Sequence, residues 1–440
     1  MASTKRSSKD LSKQRIMVTN INDRVMVMLR DPKYAKAFSL NQHLYTKSSH
    51  GDIMRILLGT SLVFAEGEAW KRNRKIISNT FHFEFLKSNI HRMQSTTQEF
   101  LNKINPTPGN DTYSIIKKFQ EITGEIVGRI FFGECFNDYQ FEGKPLTHAL
   151  AEIMGELGTA SRSGLPLLFG RKAMELSIFP HLKRVTDKVK RYHQLCYSII
   201  QDRRNKSTSS SEKGDDLLAS LLETQKSQDP QQRYTDEDIV YEFVNFFAAG
   251  MESTGLLIGM AVYSLAKNPQ YLKDLEEERN NVYNTESQVT PDIIQKMDFT
   301  HAVLKETLRL YAPVFQTIIR VAQSDHYLDD FKIKKGEFVT DDFFALQFDE
   351  KYFENPFEFN PKRWLGTNQK SDPYAYTPFW AGPRNCNGQH LAIMESKIIL
   401  SEFLNRFEFK MEANYELKMI VRVLYEPFED FKLKLSLVKK

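Results

Sequence analysis

Ten residues near the C-terminal end, Phe379-Trp380-Ala381-Gly382-Pro383-Arg384-Asn385-Cys386-Asn387-Gly388, constrain this chain more than any other stretch. A lone cysteine lies between glycines, two residues after an arginine. An amphipathic helical pattern carrying Leu391, Ala392, Ile398 and Phe403 follows it. The positive end of that helix and the Arg384 cation both favour thiolate, so the thiol should fall below its free value of about 8.5. An anionic sulfur facing a cavity is a nucleophile or a metal ligand. Gly382 and Gly388 allow tight turns and close approach of backbone to a large flat ligand. Pro383 stiffens the loop, and Phe379 can shield the sulfur from water. Arg384 presents a planar fork of donors suited to a carboxylate.

A flat ligand that bears carboxylates and sits beside a thiolate is haem, whose iron a thiolate activates for O–O cleavage. The stretch resembles the cysteine-loop signature F-x-x-G-x-R-x-C-x-G of the cytochrome P-450 family. Phe379, Gly382, Arg384, Cys386 and Gly388 occupy its fixed positions, and Trp380 departs from it where that family usually has a small residue. The resemblance implies haem b (iron protoporphyrin IX), with Cys386 as the axial ligand of its iron.

With 440 residues, 41% of them hydrophobic and 12% aromatic, the chain holds enough apolar material for a large core. The polar, basic start (residues 1–13) reads as a disordered tail, and residues 14–440 as a single haem domain. Asn205–Asp216 is polar and low in complexity, a surface loop between helices. Three cysteines make no disulfide framework, and Cys135 and Cys196 lie in apolar helical patterns as small core residues. A net charge of +4 is too weak to argue nucleic-acid binding. No apolar run is long enough to cross a membrane.

Apolar runs at Gln14–Thr19 and Arg24–Leu29 flank Asn20–Asp23 and predict a β-hairpin. Asp31-Pro32 opens a helix. Helical patterning dominates from about residue 70 to 310, with breaks at Pro106–Gly109, Gly164–Pro166 and Pro180. Short strands are expected in Asp325–Thr340, an irregular meander in Tyr352–Trp364, and a last hairpin after Phe407. This is a mainly α chain with small peripheral β-sheets, which matches the fold the resemblance implies.

Thr235 with Asp238 reads as a capping box opening a long helix that Pro269 ends. Gly250 and Gly255 within it each cost about 1 kcal/mol against alanine, so they mark a close approach or a widened turn. The acid and hydroxyls of Glu252, Ser253 and Thr254 can relay protons. They resemble the family's oxygen-binding motif, with Ser253 where a threonine is usual. Glu306 and Arg309 share a helix face, and Phe359–Trp364 resembles the family's meander motif. The resemblance joins Glu306, Arg309 and Arg363 in a buried structural cluster, with Lys362 in place of a common acid. A second E-x-x-R, Glu276 to Arg279, reads as a surface pair. Trp70 and Arg74 lie one turn apart, and with Arg320 they match the family's propionate-binding positions. Lys71, Arg72 and Lys75 make that first helix basic, either a solvated face or a docking patch for an acidic redox partner. The histidines, His301 and His390 among them, show no second ligand at metal spacing.

The implied reaction inserts one oxygen atom of dioxygen into an apolar organic substrate. Electrons come from NADPH through a flavoprotein reductase or a ferredoxin. Substrate contacts are expected in Tyr45–Phe64, Glu152–Phe179, at Phe246 and Phe247, and in Val314–Thr317. Two alternatives stand beside it: an isomerase or dehydratase acting on a hydroperoxide or oxime without a reductase, and a truncated, non-catalytic haem binder. The anchor helix and hinge of microsomal members have no counterpart. The expected location is therefore the cytoplasmic face of the endoplasmic reticulum if an anchor is missing, with peripheral membrane contact, and otherwise the cytoplasm.

Overall fold

The structure, a computed structural model, describes residues 14–21, 24–48, 53–133, 136–162, 171–176, 178–209, 216–283, 288–366, 372–412 and 415–438. The chain forms two compact units, Met1–Ser49 with His301–Gln389, and His50–Thr300 with His390–Lys440. The polar tail, Cys135 and the expected break at Gly164–Pro166 lie outside the described residues.

In the first unit, strands Ile16–Ile21 and Arg24–Leu29 pair antiparallel with Ile21 opposite Arg24, the predicted hairpin. They edge a five-stranded sheet that continues through Phe338–Asp341, Arg320–Ala322 and Tyr45–Lys47. Asp31 caps the Pro32–Leu40 helix by accepting from the Lys33 N–H at 3.0 Å. That helix buries Tyr34 and Phe38 against Val27, Leu29, Tyr45, Leu328 and Val339. His326–Leu328 and Phe331–Ile333 supply the other short strands expected here.

The second unit is built on the Asp236–Lys267 helix, opened by the Thr235–Asp238 capping box and closed at Asn268. It is long and apolar enough by composition to cross a membrane, yet most of it is buried inside the structure. A helix apolar on every side is a core helix. It packs against the Ile115–Val127 helix through glycines. A Cβ on Gly259 would stand 2.6 Å from Ile116 Cγ1, and one on Gly250 2.6 Å from Val127 Cγ2. Of the two readings of Gly250 and Gly255, close approach is the one realised, with Val127 and Gln120 respectively, since the helix stays α throughout; the π turn lies at Gly128–Phe132.

Three expectations change. Phe247 is fully buried with its ring 4.3 Å from that of Phe136, so it is core and not a substrate contact, whereas Phe246 stays accessible. The Pro180–Ser209 helix runs through Asn205, shortening the expected surface loop. The Gln389–Arg406 helix is not amphipathic: Glu395, Lys397 and Glu402 are buried with its apolar residues. Lys397 donates to the Ile294 carbonyl at 2.8 Å, and Glu402 accepts from Gln94, Gln98 and Tyr283 at 2.6–3.0 Å. Lys397 and Glu402, which look like part of a solvated stripe, are satisfied internally. The tail from Phe407 adds Phe407–Met411 and Lys432–Leu437 to a small sheet with Thr112–Ser114, and Met419–Val421 pairs with Tyr425–Pro427.

Candidate active site

Cys386 is exposed and takes part in no disulfide. Its N–H donates to the Phe379 carbonyl at 2.9 Å, closing the loop into a fixed ring. Gly382 has φ +75°, and a Cβ there would stand 2.4 Å from the Ser39 carbonyl oxygen. Only glycine lets the loop settle on the end of the Pro32–Leu40 helix. Trp380, the departure from the loop signature, also has positive φ, +58°. Its indole N–H donates to Asp341 at 2.8 Å, and the Arg320 guanidinium stands 5.4 Å from the ring centroid. Burial raises the Asp341 acid to about 7, with Asp342 adding to the rise and the Trp380 bond opposing it.

The expected cluster is assembled within the same unit. Glu306 and Arg309 have wholly buried side chains. Arg309 donates to both Glu306 oxygens at 2.9–3.0 Å, and Arg363 donates to Oε1 at 3.0 Å. The Trp364 indole, which the sequence did not point to, donates to Oε2 at 2.8 Å, and the Asn360 N–H to Oε1 at 2.9 Å. Arg309 also reaches the carbonyls of Gln347 and Pro356 at 2.9 and 2.6 Å. A buried charge is thus paired and saturated, and the meander leading toward the cysteine loop is pinned to one helix. By contrast, Glu276 and Arg279 are 3.5 Å apart with Glu276 exposed.

In the second unit, Trp70 and Arg74 sit on the Gly67–Ser78 helix, on the side that also carries buried Asn73 and Ile77. Asn73 anchors that side, donating to Glu242 Oε1 at 3.1 Å, and the Leu62 N–H donates to the same oxygen at 2.8 Å. Burial raises the Glu242 acid to about 8. An acid inside the apolar run Ile239–Val244 was its sequence signal. Arg72 is not a solvated charge: it donates to the Gln231 and Arg233 carbonyls and lies 4.6 Å over the Tyr234 ring. Lys71 pairs with Glu68 at 2.7 Å.

Between Glu242 and Leu265 the residues of the central helix that stay accessible are Phe246, Ala249, Gly250 and Ser253. They fall at helical spacing and form one strip. Ser253 donates its hydroxyl to the Ala249 carbonyl at 2.7 Å. Glu252 and Thr254 turn elsewhere. Glu252 accepts from the Gln120 amide at 2.6 Å, and burial raises its acid to about 8. Thr254 is buried beside Glu395, whose own acid burial holds well above the usual carboxylate range. The sequence reading missed Gln120 and Glu395, since neither spacing nor composition marks a partner on another helix. No group of metal-ligating side chains occurs among the described residues. The donor set fits haem instead: an accessible sulfur in a rigid loop, with guanidinium groups in the same unit for its carboxylates.

The family model described as "Cytochrome P450" matches residues 9–429. Cytokinin hydroxylase of Arabidopsis thaliana is 30% identical over 84% of this chain and 71% of its own length. Cytochrome P450 4V2 of Homo sapiens is 27% identical over 87% of this chain and 74% of its own length. The solved heme domain of a cytochrome P450DA mutant superposes with a TM-score of 0.82 at 23% identity, covering 99% of this chain and 91% of that one. The chain belongs to the cytochrome P450 family and is a haem-thiolate oxidoreductase of the monooxygenase class.

Proposed function

We propose that this protein inserts one oxygen atom of dioxygen into an apolar organic substrate, with electrons from NADPH delivered by a flavoprotein reductase or a ferredoxin. The observation that carries this reading is Ser253, a hydroxyl on the accessible strip of an otherwise buried helix. An enzyme that only rearranges a peroxide has no need of a proton-handling side chain there.

Bound haem b, held through Cys386, would supply dioxygen activation. The rest falls to the chain. Arg320 and Arg384 would hold the haem carboxylates, the role the family resemblance also gives to Trp70 and Arg74. The ring Phe379–Cys386 fixes the direction of the sulfur, and the Glu306 cluster fixes the segment leading to it. Ser253 Oγ spends its proton on Ala249, so its lone pairs stay available to accept and pass a proton. Glu252, raised to about 8 by burial, is protonated at neutral pH and serves as a store. Because it faces Gln120, about 100° around the helix from Ser253, transfer requires it to leave that amide. Phe246 and the small Ala249, accessible on the same strip as Ser253, offer an apolar face to a substrate.

The test is a carbon-monoxide difference spectrum of the reduced, haem-loaded protein beside Cys386→Ala, followed by turnover with and without NADPH and a reductase. A strongly red-shifted Soret band in the parent alone, with product that requires reductant, is expected. Product formed from a hydroperoxide with no reductant would overturn the reading.

A further inference from the structure

We infer that Trp380 and Asp341 form a seat that holds the Arg320 guanidinium against a haem carboxylate, making both positioning residues for haem retention; this rests on the haem reading above. Four observations carry it. First, Trp380 is a bulky side chain at φ +58°, a left-handed conformation that is strained in a residue with a Cβ. Such strain persists only where surrounding contacts over-determine it. Second, the contact that does so is specific: the indole N–H donates at 2.8 Å to Asp341, which is 1% exposed at the end of the Phe338–Asp341 strand. Third, the Arg320 guanidinium lies over the face of the same ring, and Arg320 is 3% exposed. Its strand neighbour is Val339, two residues before Asp341, so sheet pairing fixes the Arg320 backbone while the indole lies against its guanidinium. Fourth, Phe38 packs at 6.0 Å from the indole, preventing the ring from swinging away.

The chemistry is cooperative. A carboxyl oxygen accepting the indole proton pushes electron density onto the ring, which strengthens its attraction for a cation. Asp341 is otherwise poorly compensated. Its Oδ1 is buried without a partner among the described residues, and its neighbour Asp342 is neutralised by Arg30 at 2.9 Å. The bond to Trp380 is therefore its main side-chain compensation, and a small residue at position 380 would remove it. A redox role for the indole is disfavoured by the same geometry, because a cation over the ring makes electron loss harder.

The experiment measures haem transfer from the haem-loaded protein to excess apomyoglobin, for the parent, Trp380→Ser, Trp380→Phe, Asp341→Asn, Arg320→Ala and the double variant Trp380→Ser with Arg320→Ala. The carbon-monoxide difference spectrum reports ligation in each. Trp380→Ser should speed haem loss roughly three- to thirty-fold, the range a seated cation–π contact implies. Trp380→Phe, which keeps a ring, should recover most of the difference. In the Arg320→Ala background, Trp380→Ser should add no more than about twofold. Equal acceleration by Trp380→Ser with and without Arg320, or none at all, overturns the seat. A parent that lacks the thiolate-type band overturns the haem reading itself and the seat with it.

Discussion

Gly255 lies so close to Gln120 that a Cβ at residue 255 would stand 2.7 Å from the Gln120 backbone nitrogen and 2.8 Å from its Cα. Backbone cannot yield as a side chain does. Gly255→Ala would gain about 1 kcal/mol in helix propensity, but the overlap outweighs it. A net loss of about 2 kcal/mol is expected from separating the two helices. Gly259→Ala meets chiefly the flexible Cγ1 of Ile116, so it should cost less than half as much. Chemical-denaturant midpoints of the two variants check the order, and equal losses would contradict it.

Glu306 holds two guanidinium groups and one indole, so its partners are not equivalent. Arg309→Ala leaves a fully buried carboxylate short of its main cation and should cost about 3–5 kcal/mol. Arg309→Lys keeps the charge but cannot reach both Glu306 oxygens and the Gln347 and Pro356 carbonyls at once. It should recover less than half of that loss. Arg363→Ala, whose side chain is 13% exposed, should be the milder change. Melting temperatures rank the three.

Stability should fall as pH rises from about 5 to 8. Glu242 has a folded-state value of about 8, against about 4.3 in an unfolded chain. A raised acid contributes stability below the unfolded value and loses it as pH climbs through the folded one. Glu252, at about 8, and Asp341, at about 7, act with the same sign. Glu242→Gln keeps an acceptor for Leu62 and Asn73 while removing the titration. It should therefore match the parent near pH 5 and exceed it at pH 8, flattening the slope by up to about 1.4 kcal/mol per pH unit. Parallel denaturation profiles for parent and variant would refute the assignment.

Local signals were readable in the sequence wherever one segment settles its own shape. The hairpin at Arg24, the Asp31 cap, the Thr235–Asp238 box and the cysteine loop are all local, and each is realised. What escaped depends on partners distant in sequence. Glu395, Lys397 and Glu402 look like the polar face of a surface helix until Thr254, Ile294 and Gln94 are folded against them. Phe246 and Phe247 are equally apolar, and only the cluster of Phe132, Phe136 and Phe243 decides that Phe247 is core. Trp380 was legible as a departure, but its use was not, because Asp341 lies on a separate strand.

Ser253 and Thr254 both carry hydroxyls beside Glu252, and sequence alone left the proton-handling role open between them. Their surroundings separate them. Ser253 is on the accessible strip and bonds only within its own helix turn, so Ser253→Ala removes a hydroxyl without opening a cavity. Thr254 is 2% exposed and sits beside buried Glu395, whose carboxyl oxygens make no hydrogen bond among the described residues, so Thr254→Val, similar in shape, takes a neighbouring hydroxyl away from an acid already short of partners. The first change should leave the melting temperature within about 2 °C, the equivalent of a surface substitution, while lowering product formed per NADPH consumed. The second should cost about 1–3 kcal/mol, the loss expected when a buried group is left unpaired, with coupling close to the parent's. Measuring peroxide release together with thermal unfolding distinguishes them. A Thr254→Val protein that is stable but uncoupled, beside a fully coupled Ser253→Ala, would transfer the role to Thr254.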